Sequence, residues 1–294
     1  MRLVGARTAG GEVLVCALSD DGSEVAVYAE VSTFWARPES QLANRPSGGV
    51  LAVDSIELVP PVVGDARVLC IGLNYQDHVN EGSFRNESLP EVPTLFARWP
   101  QSLSVDGSGI PVPSGEDGLD WEGEVVAWIG RTLVDATPEE ALAAVIGYST
   151  FNDVTSRRAQ KQTSQWIMGK NGDRSGPLGP MVPAAEVGDL RDGLRVETRV
   201  NGRVAQHGNT AQMIYGVGDT LAHISRSFTL NPGDLLATGT PSGVGYSRTP
   251  PWLLQPGDIV EVEIERLGLL TNHIVGNDER HRAAARAGIS AAIR

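Results

Sequence analysis

The chain has 294 residues, and its 36 acidic against 24 basic side chains give a formal charge of −12. No Lys/Arg cluster rises out of that acidic background, which excludes a duplex nucleic-acid surface and means that any anionic ligand must be caught by local groups. A hydrophobic share of 41% suffices for a core, while 34 glycines and 18 prolines favour turns and short strands over long helices.

The first residues, Met1 to Gly11, are too polar for a signal peptide, and the run Val13–Leu18 is too short to span a membrane. A cytoplasmic protein with no membrane partner is expected. Residues 13–18 and 24–29 read as short strands joined by the turn Ser19-Asp20-Asp21-Gly22. Pro60-Pro61 interrupts regular structure. The expected division is therefore a small β-rich unit over 1–62, a main unit over 63–276 and an Ala/Arg-rich, helical tail over 277–294. Cys16 and Cys70 each sit in an apolar run and read as buried thiols, not as a disulfide or a thiolate metal site. In the main unit, helices are expected over 138–146, with Thr137 as N-cap and Glu140 completing a capping box, and over 213–227. Pro232-Gly233-Asp234 and Pro256-Gly257-Asp258 are turns that open strands over 235–238 and 259–264.

Four segments carry chemistry. The run 120–130 reads as a strand, so Asp120, Glu122 and Glu124 fall on one face, with Gly123 behind them leaving room for a close neighbour. Buried carboxylates side by side need protons, partners or a cation, and a divalent ion with oxygen ligands is the economical answer. An edge strand with a solvated acidic face is the alternative. Asp153, in the β-prone run 148–154, supplies a further carboxylate. His78 and Glu81 are three apart, which places them on one face of a helical turn. The carboxylate could hold one ring nitrogen while the other deprotonates water, although an exposed structural pair reads the same way. The polar stretch 82–93 beside them is either a lid or an ordinary surface loop. Lys170, between Gly169 and Asn171-Gly172, either points into a cavity to stabilise an oxyanion or is simply solvated. Thr238-Gly239-Thr240-Pro241-Ser242-Gly243-Val244-Gly245 lacks the lysine of a phosphate loop. Its N–H groups and the Thr240 hydroxyl suit a carboxylate, with a plain tight turn as the alternative.

Taken together and in order, Cys70 to His78 with Glu81, Pro93-Thr94-Leu95-Phe96, Asp120 to Glu124, Phe151 to Val154 through Arg157 and Gln160, Gln165-Trp166 with Gly169-Lys170-Asn171, and Thr229 to Asp234 into Thr238 to Pro241 resemble the fumarylacetoacetate hydrolase family over residues 66–276. The resemblance implies a β-rich α+β fold, a mixed sandwich-like roll with few helices, and a homodimer. It places Glu122, Glu124 and Asp153 on the family's ligands for a divalent metal, Mg²⁺ with Mn²⁺ or Ca²⁺ as substitutes. It places His78 and Glu81 on a water-activating dyad, Lys170 on an active-site lysine, and Arg157, Gln160, Gly239 and Thr240 on the substrate pocket. Arg158 and Gly172 depart from the family's usual residues, which puts the substrate in question. The implied activity is metal-dependent hydrolysis of a C–C bond in a small 1,3-diketo acid of the acylpyruvate type. Isomerisation, decarboxylation or dehydration of a related 2-oxo or 2-hydroxy-dienoate acid on the same metal is the alternative. An inactive homologue that binds metal and acid is a third.

Overall fold

The computed structural model describes residues 1–81 and 90–279. The expected loop over 82–93 therefore lies mostly outside the described residues, and so does the expected tail helix from 280 onward.

Three sheets and a few short helices make up a sheet-rich α+β fold. The first sheet is antiparallel, in the order Val50–Ala52, Glu24–Glu30, Val13–Leu18, Arg2–Arg7, Glu57–Val59. One cluster, of Val4, Ala6, Cys16, Val25 and Val27, belongs to this unit alone, and a second is shared. Leu3, Val15, Phe34 and Trp35 share an apolar cluster with Trp128, Phe151 and Leu235 of the central sheet. The rings of Trp35 and Trp128 stack 5.4 Å apart, nearly parallel.

The central mixed sheet runs Thr94–Arg98, Val68–Gly72, Leu235–Ala237, Gly123–Ile129, Val145–Asn152, Gly176–Leu178, Leu103–Val105. Gly123–Ile129 is buried on both faces, which explains its continuous apolar run after Glu124. The third sheet runs Arg203–Asn209, Arg195–Val200, Ile259–Ile264, Gly268–Val275, Gly109–Pro111. Its central strand alternates as the sequence suggests: Val260, Val262 and Ile264 are buried, while Ile259, Glu261 and Glu263 face outward.

Both expected helices form, shortened. Thr137 and Glu140 make the capping box, but the helix stops at Ala143 because Val145–Asn152 pairs with the central strand. The second spans Val217–Ser225, the longest helix among the described residues, and none is long and apolar enough to cross a membrane. Met213 and Ile214 stay extended because they bridge to Tyr75 and Asn74. Both cysteines are free and buried.

Gly123 is where the third sheet closes on the central one. A Cβ there would lie 2.6 Å from Thr198 Oγ1 and 3.2 Å from Val262 Cγ1. The Gly123 N–H donates to Gln206 Oε1 at 3.0 Å. Gly123→Ala is expected to cost about 1–3 kcal/mol through overpacking. Urea unfolding monitored by tryptophan fluorescence would measure it, and an unchanged midpoint would refute the packing argument.

Candidate metal and acid–base site

The antiparallel pairing of Gly123–Ile129 with Val145–Asn152 sets Gly123 against Asn152 and Glu124 against Phe151. Continuing that register, Asp153 N–H donates to the Glu122 carbonyl at 2.9 Å. Glu122 and Glu124 share a face by strand alternation, and Asp153 lies across from Glu122. The three side chains are buried and offer carboxylate oxygens within 4.8 Å of one another.

Their environments differ. Lys170 Nζ bridges Glu122 Oε2 and Asp153 Oδ2, each at 2.6 Å. Arg157 Nη2 lies 2.6 Å from Glu122 Oε1, and Arg98 pairs with Asp153 Oδ1. Burial raises the Glu122 carboxyl, but Lys170 and Arg157 outweigh it and bring it down to about 2. Glu124 has no cationic partner within ion-pair distance among the described residues. Burial first, then Asp153 and Glu122, push its carboxyl well above the ordinary range. Its hydrogen-bond donor is the Gly239 N–H, at 2.9 Å. Three hard oxygen donors in a dry recess, one without a counter-charge, fit a divalent cation such as Mg²⁺ or Mn²⁺.

Asp120 does not join them, contrary to the expectation for residues 120–124. The regular strand begins at Gly123, and Asp120 bridges to Thr155 instead of continuing the alternation. Its carboxylate accepts from Arg157 Nε at 2.8 Å, Gly245 N at 2.7 Å and Tyr246 N at 3.0 Å. It anchors an arginine and a loop.

The glycine-rich loop does hold carboxylates with its N–H groups, but they are the chain's own. Gly239 serves Glu124, Gly243 serves Glu81 at 2.8 Å, and Gly245 serves Asp120. Gly239 has φ +87°, and a Cβ there would meet Asn74 Cβ at 2.9 Å. Thr240 Oγ1 donates to the Gly123 carbonyl at 2.9 Å and accepts from Gln206 Nε2 at 2.8 Å.

His78 and Glu81 lie on the helix Gln76–Glu81, with Nδ1 2.8 Å from Oε1. Burial raises the Glu81 carboxyl, but the hydrogen bonds from His78 and from the Gly243 N–H outweigh it and hold it below its ordinary range. With Glu81 ionised, Nδ1 is the ring nitrogen that donates, and in the neutral ring Nε2 is then the acceptor. Nε2 has no hydrogen-bond partner among the described residues.

A cavity of about 660 Å³ brings these groups together. Its walls include His78, Glu122, Glu124, Arg157, Lys170 and Thr240, and Gln160 also lines it. Gln160 Oε1 accepts from Arg157 Nη1 at 3.0 Å. The short helix Ile167–Lys170 reaches the cavity because residue 169 is glycine: a Cβ there would lie 2.6 Å from Gln160 Cα. Arg158 faces away, its N–H to Glu116 and its guanidinium to the Gly115 carbonyl, and neither it nor Gly172 lines the cavity. The sequence reading missed Arg98 and Gln206. Both are buried polar side chains inside strands, and that burial is the signal that no local pattern announces.

The family model described as fumarylacetoacetate (FAA) hydrolase C-terminal matches residues 67–275. The oxaloacetate tautomerase fahd2, mitochondrial, of Xenopus laevis is 36% identical over 77% of this chain and 70% of its own length. The oxaloacetate tautomerase YisK of Bacillus subtilis is 34% identical over 91% of this chain and 87% of its own. The crystal structure of a fumarylpyruvate hydrolase from Pseudomonas aeruginosa, in complex with Mn²⁺ and pyruvate, superposes with a TM-score of 0.65 at 32% identity. That alignment covers 74% of this chain and 91% of that one. A match running from the strand that carries Cys70 to the last strand of the third sheet leaves one assignment: the chain is a member of the fumarylacetoacetate hydrolase family.

Proposed function

We propose that the protein catalyses keto–enol tautomerisation of a small 2-oxo acid of the oxaloacetate type. The observation that carries this reading is His78, which is paired with Glu81 and lines the same cavity as the buried carboxylates Glu122 and Glu124. The two tautomerases whose sequences match most of the chain support it.

A divalent ion held by Glu122, Glu124 and Asp153 would supply Lewis-acid polarisation of the 2-oxo group. The chain's own side chains move the proton. Nε2 of His78 takes the hydrogen from the carbon next to the ketone, and the imidazolium returns it at the enol oxygen. The reverse direction uses the same two positions, and nothing is gained or lost overall. Glu81 stabilises the imidazolium while it exists. Lys170, whose ammonium keeps a third N–H beside its bonds to Glu122 and Asp153, can donate it to the oxygen on which negative charge builds.

Hydrolysis of an acylpyruvate is the second reading. It is favoured by the same dyad, which could take its proton from water, and by the Pseudomonas hydrolase's likeness. One experiment separates the two. Oxaloacetate is followed by loss of its enol absorbance, and acylpyruvates by release of pyruvate, each with Mg²⁺ and with EDTA. Tautomerisation predicts metal-dependent acceleration of enol decay without C–C cleavage. Pyruvate release from an acylpyruvate, with enol decay left at the buffer rate, would replace this reading with the hydrolytic one.

A further inference from the structure

At the inner end of the cavity, the positive charges are already committed. Asp120, Glu122, Glu124 and Asp153 face Arg98, Arg157 and Lys170, and each of these cations has a carboxylate partner within ion-pair distance. The chain as a whole is acidic. A substrate carrying a second carboxylate must therefore find its counter-charge elsewhere on the cavity wall.

Among the described residues, Lys161 is the one cation lining the cavity that has no acidic partner. It follows directly on the helix Arg157–Gln160, so the backbone that places Arg157 and Gln160 also places Lys161. Its ammonium rests 3.6 Å from the centroid of the Tyr246 ring. A ring face orients a cation without neutralising it. Tyr246 is held in turn by its N–H bond to Asp120. Ser164, three residues further along the chain, also lines the cavity, with a hydroxyl that makes no hydrogen bond among the described residues. An oriented, uncompensated ammonium and a free hydroxyl, both exposed on the cavity wall, make a receptor for a carboxylate.

We propose that Lys161 selects dicarboxylic substrates by receiving the carboxylate distal to the 2-oxo acid group. This rests on the reading of the cavity as a 2-oxo-acid site and narrows its substrate class. Lys161 is a specificity-determining residue here and takes no part in proton transfer.

The test is calorimetric, on Mg²⁺-loaded full-length protein. The ligands are 2-oxoglutarate and 2-oxopentanoate, which share a five-carbon chain and differ only in a distal carboxylate against a methyl. The wild type is expected to bind the diacid about five- to tenfold more tightly, the scale of a charge-assisted contact discounted for exposure. Lys161→Met should remove that preference and leave the monoacid's Kd unchanged. Lys161→Arg should retain it. Because Lys161 is exposed, these variants should fold as the wild type does. A wild type without preference, or a Lys161→Met variant that keeps it, overturns the proposal. In the oxaloacetate assay the same substitution should raise KM and spare kcat. Diacid preference in a protein that does not accelerate enol decay would remove the tautomerase reading and leave the role of Lys161 standing.

Discussion

Glu124→Gln is expected to abolish the response to divalent metal while leaving the metal-free protein more stable than the wild type. The wild-type melting temperature should rise by about 5–10 °C at a Mg²⁺ or Mn²⁺ concentration a hundred times Kd, because ligand binding at that ratio adds about 2.7 kcal/mol. Glu122 and Asp153 have Lys170, Arg157 and Arg98 as partners, whereas Glu124 has a single backbone N–H. Its ionised form is therefore the costliest charge in the recess, and the one that a cation relieves most. Gln keeps an acceptor for Gly239 and removes the uncompensated charge, which should stabilise the metal-free fold by about 1 kcal/mol or more. The sign with pH follows from the raised carboxyl. Its contribution to stability is present at acid pH and is lost as pH rises above the ordinary carboxylate value, because the folded state must then give up a proton that it holds tightly. The difference in stability between variant and wild type should accordingly widen from acid to neutral pH. Differential scanning fluorimetry with and without metal reads all of this. A Glu124→Gln variant that still gained the full metal shift would show that Glu124 is not a ligand.

The parts of this site that the sequence discloses are those set by local periodicity. Alternation along one strand suffices to place Glu122 and Glu124 on one face, and three-residue spacing on a helical turn suffices to join His78 to Glu81. Gly123 signals a close neighbour because a strand interior tolerates glycine poorly unless something packs there, and Thr198 and Val262 do. Asp120 shows where the logic stops. Nothing local announces that the regular strand begins only at Gly123, so alternation extrapolated two residues too far assigns Asp120 to the wrong cluster.

Long-range partners are not legible in the same way. The glycine-rich loop reads as a set of N–H donors for carboxylates, but its acceptors are Glu81, Asp120 and Glu124, all more than a hundred residues away. Arg98 ends a strand on whose other residues exposure alternates, and it looks like an ordinary surface arginine until Asp153 and Ser175 are seen to enclose it. The same holds for the core. Trp35 and Trp128 each mark an apolar position, but only the folded chain shows that they stack and tie the first sheet to the central one. Register and partner choice come from tertiary packing, and a single sequence carries no local record of either.

His78→Ala should lower turnover by about 10²- to 10⁴-fold, the range lost with a positioned acid–base group, while leaving the metal-induced thermal shift intact. His78 is not in the carboxylate cluster, so the two readouts are separable. Glu81→Gln should fall between this variant and the wild type. The amide can still accept from Nδ1–H, but it no longer stabilises the imidazolium that forms when Nε2 takes a proton. Glu81 is also held by the Gly243 N–H and, at 3.4 Å, by the Val244 N–H, so the amide will disturb the loop that serves Glu124 through Gly239. A small loss of metal affinity in Glu81→Gln, absent in His78→Ala, would reveal that coupling. The depressed Glu81 carboxyl fixes the pH signature. The ionised pair is present above the ordinary carboxylate value and is lost only as pH falls through the lowered one, so Glu81 stays charged across the neutral range. A loss of activity between pH 7 and pH 5 must then come from a group other than Glu81. If His78→Ala kept the wild-type rate, the proton would be moving through Lys170 or solvent, and His78 would serve only to hold Glu81 against the glycine loop.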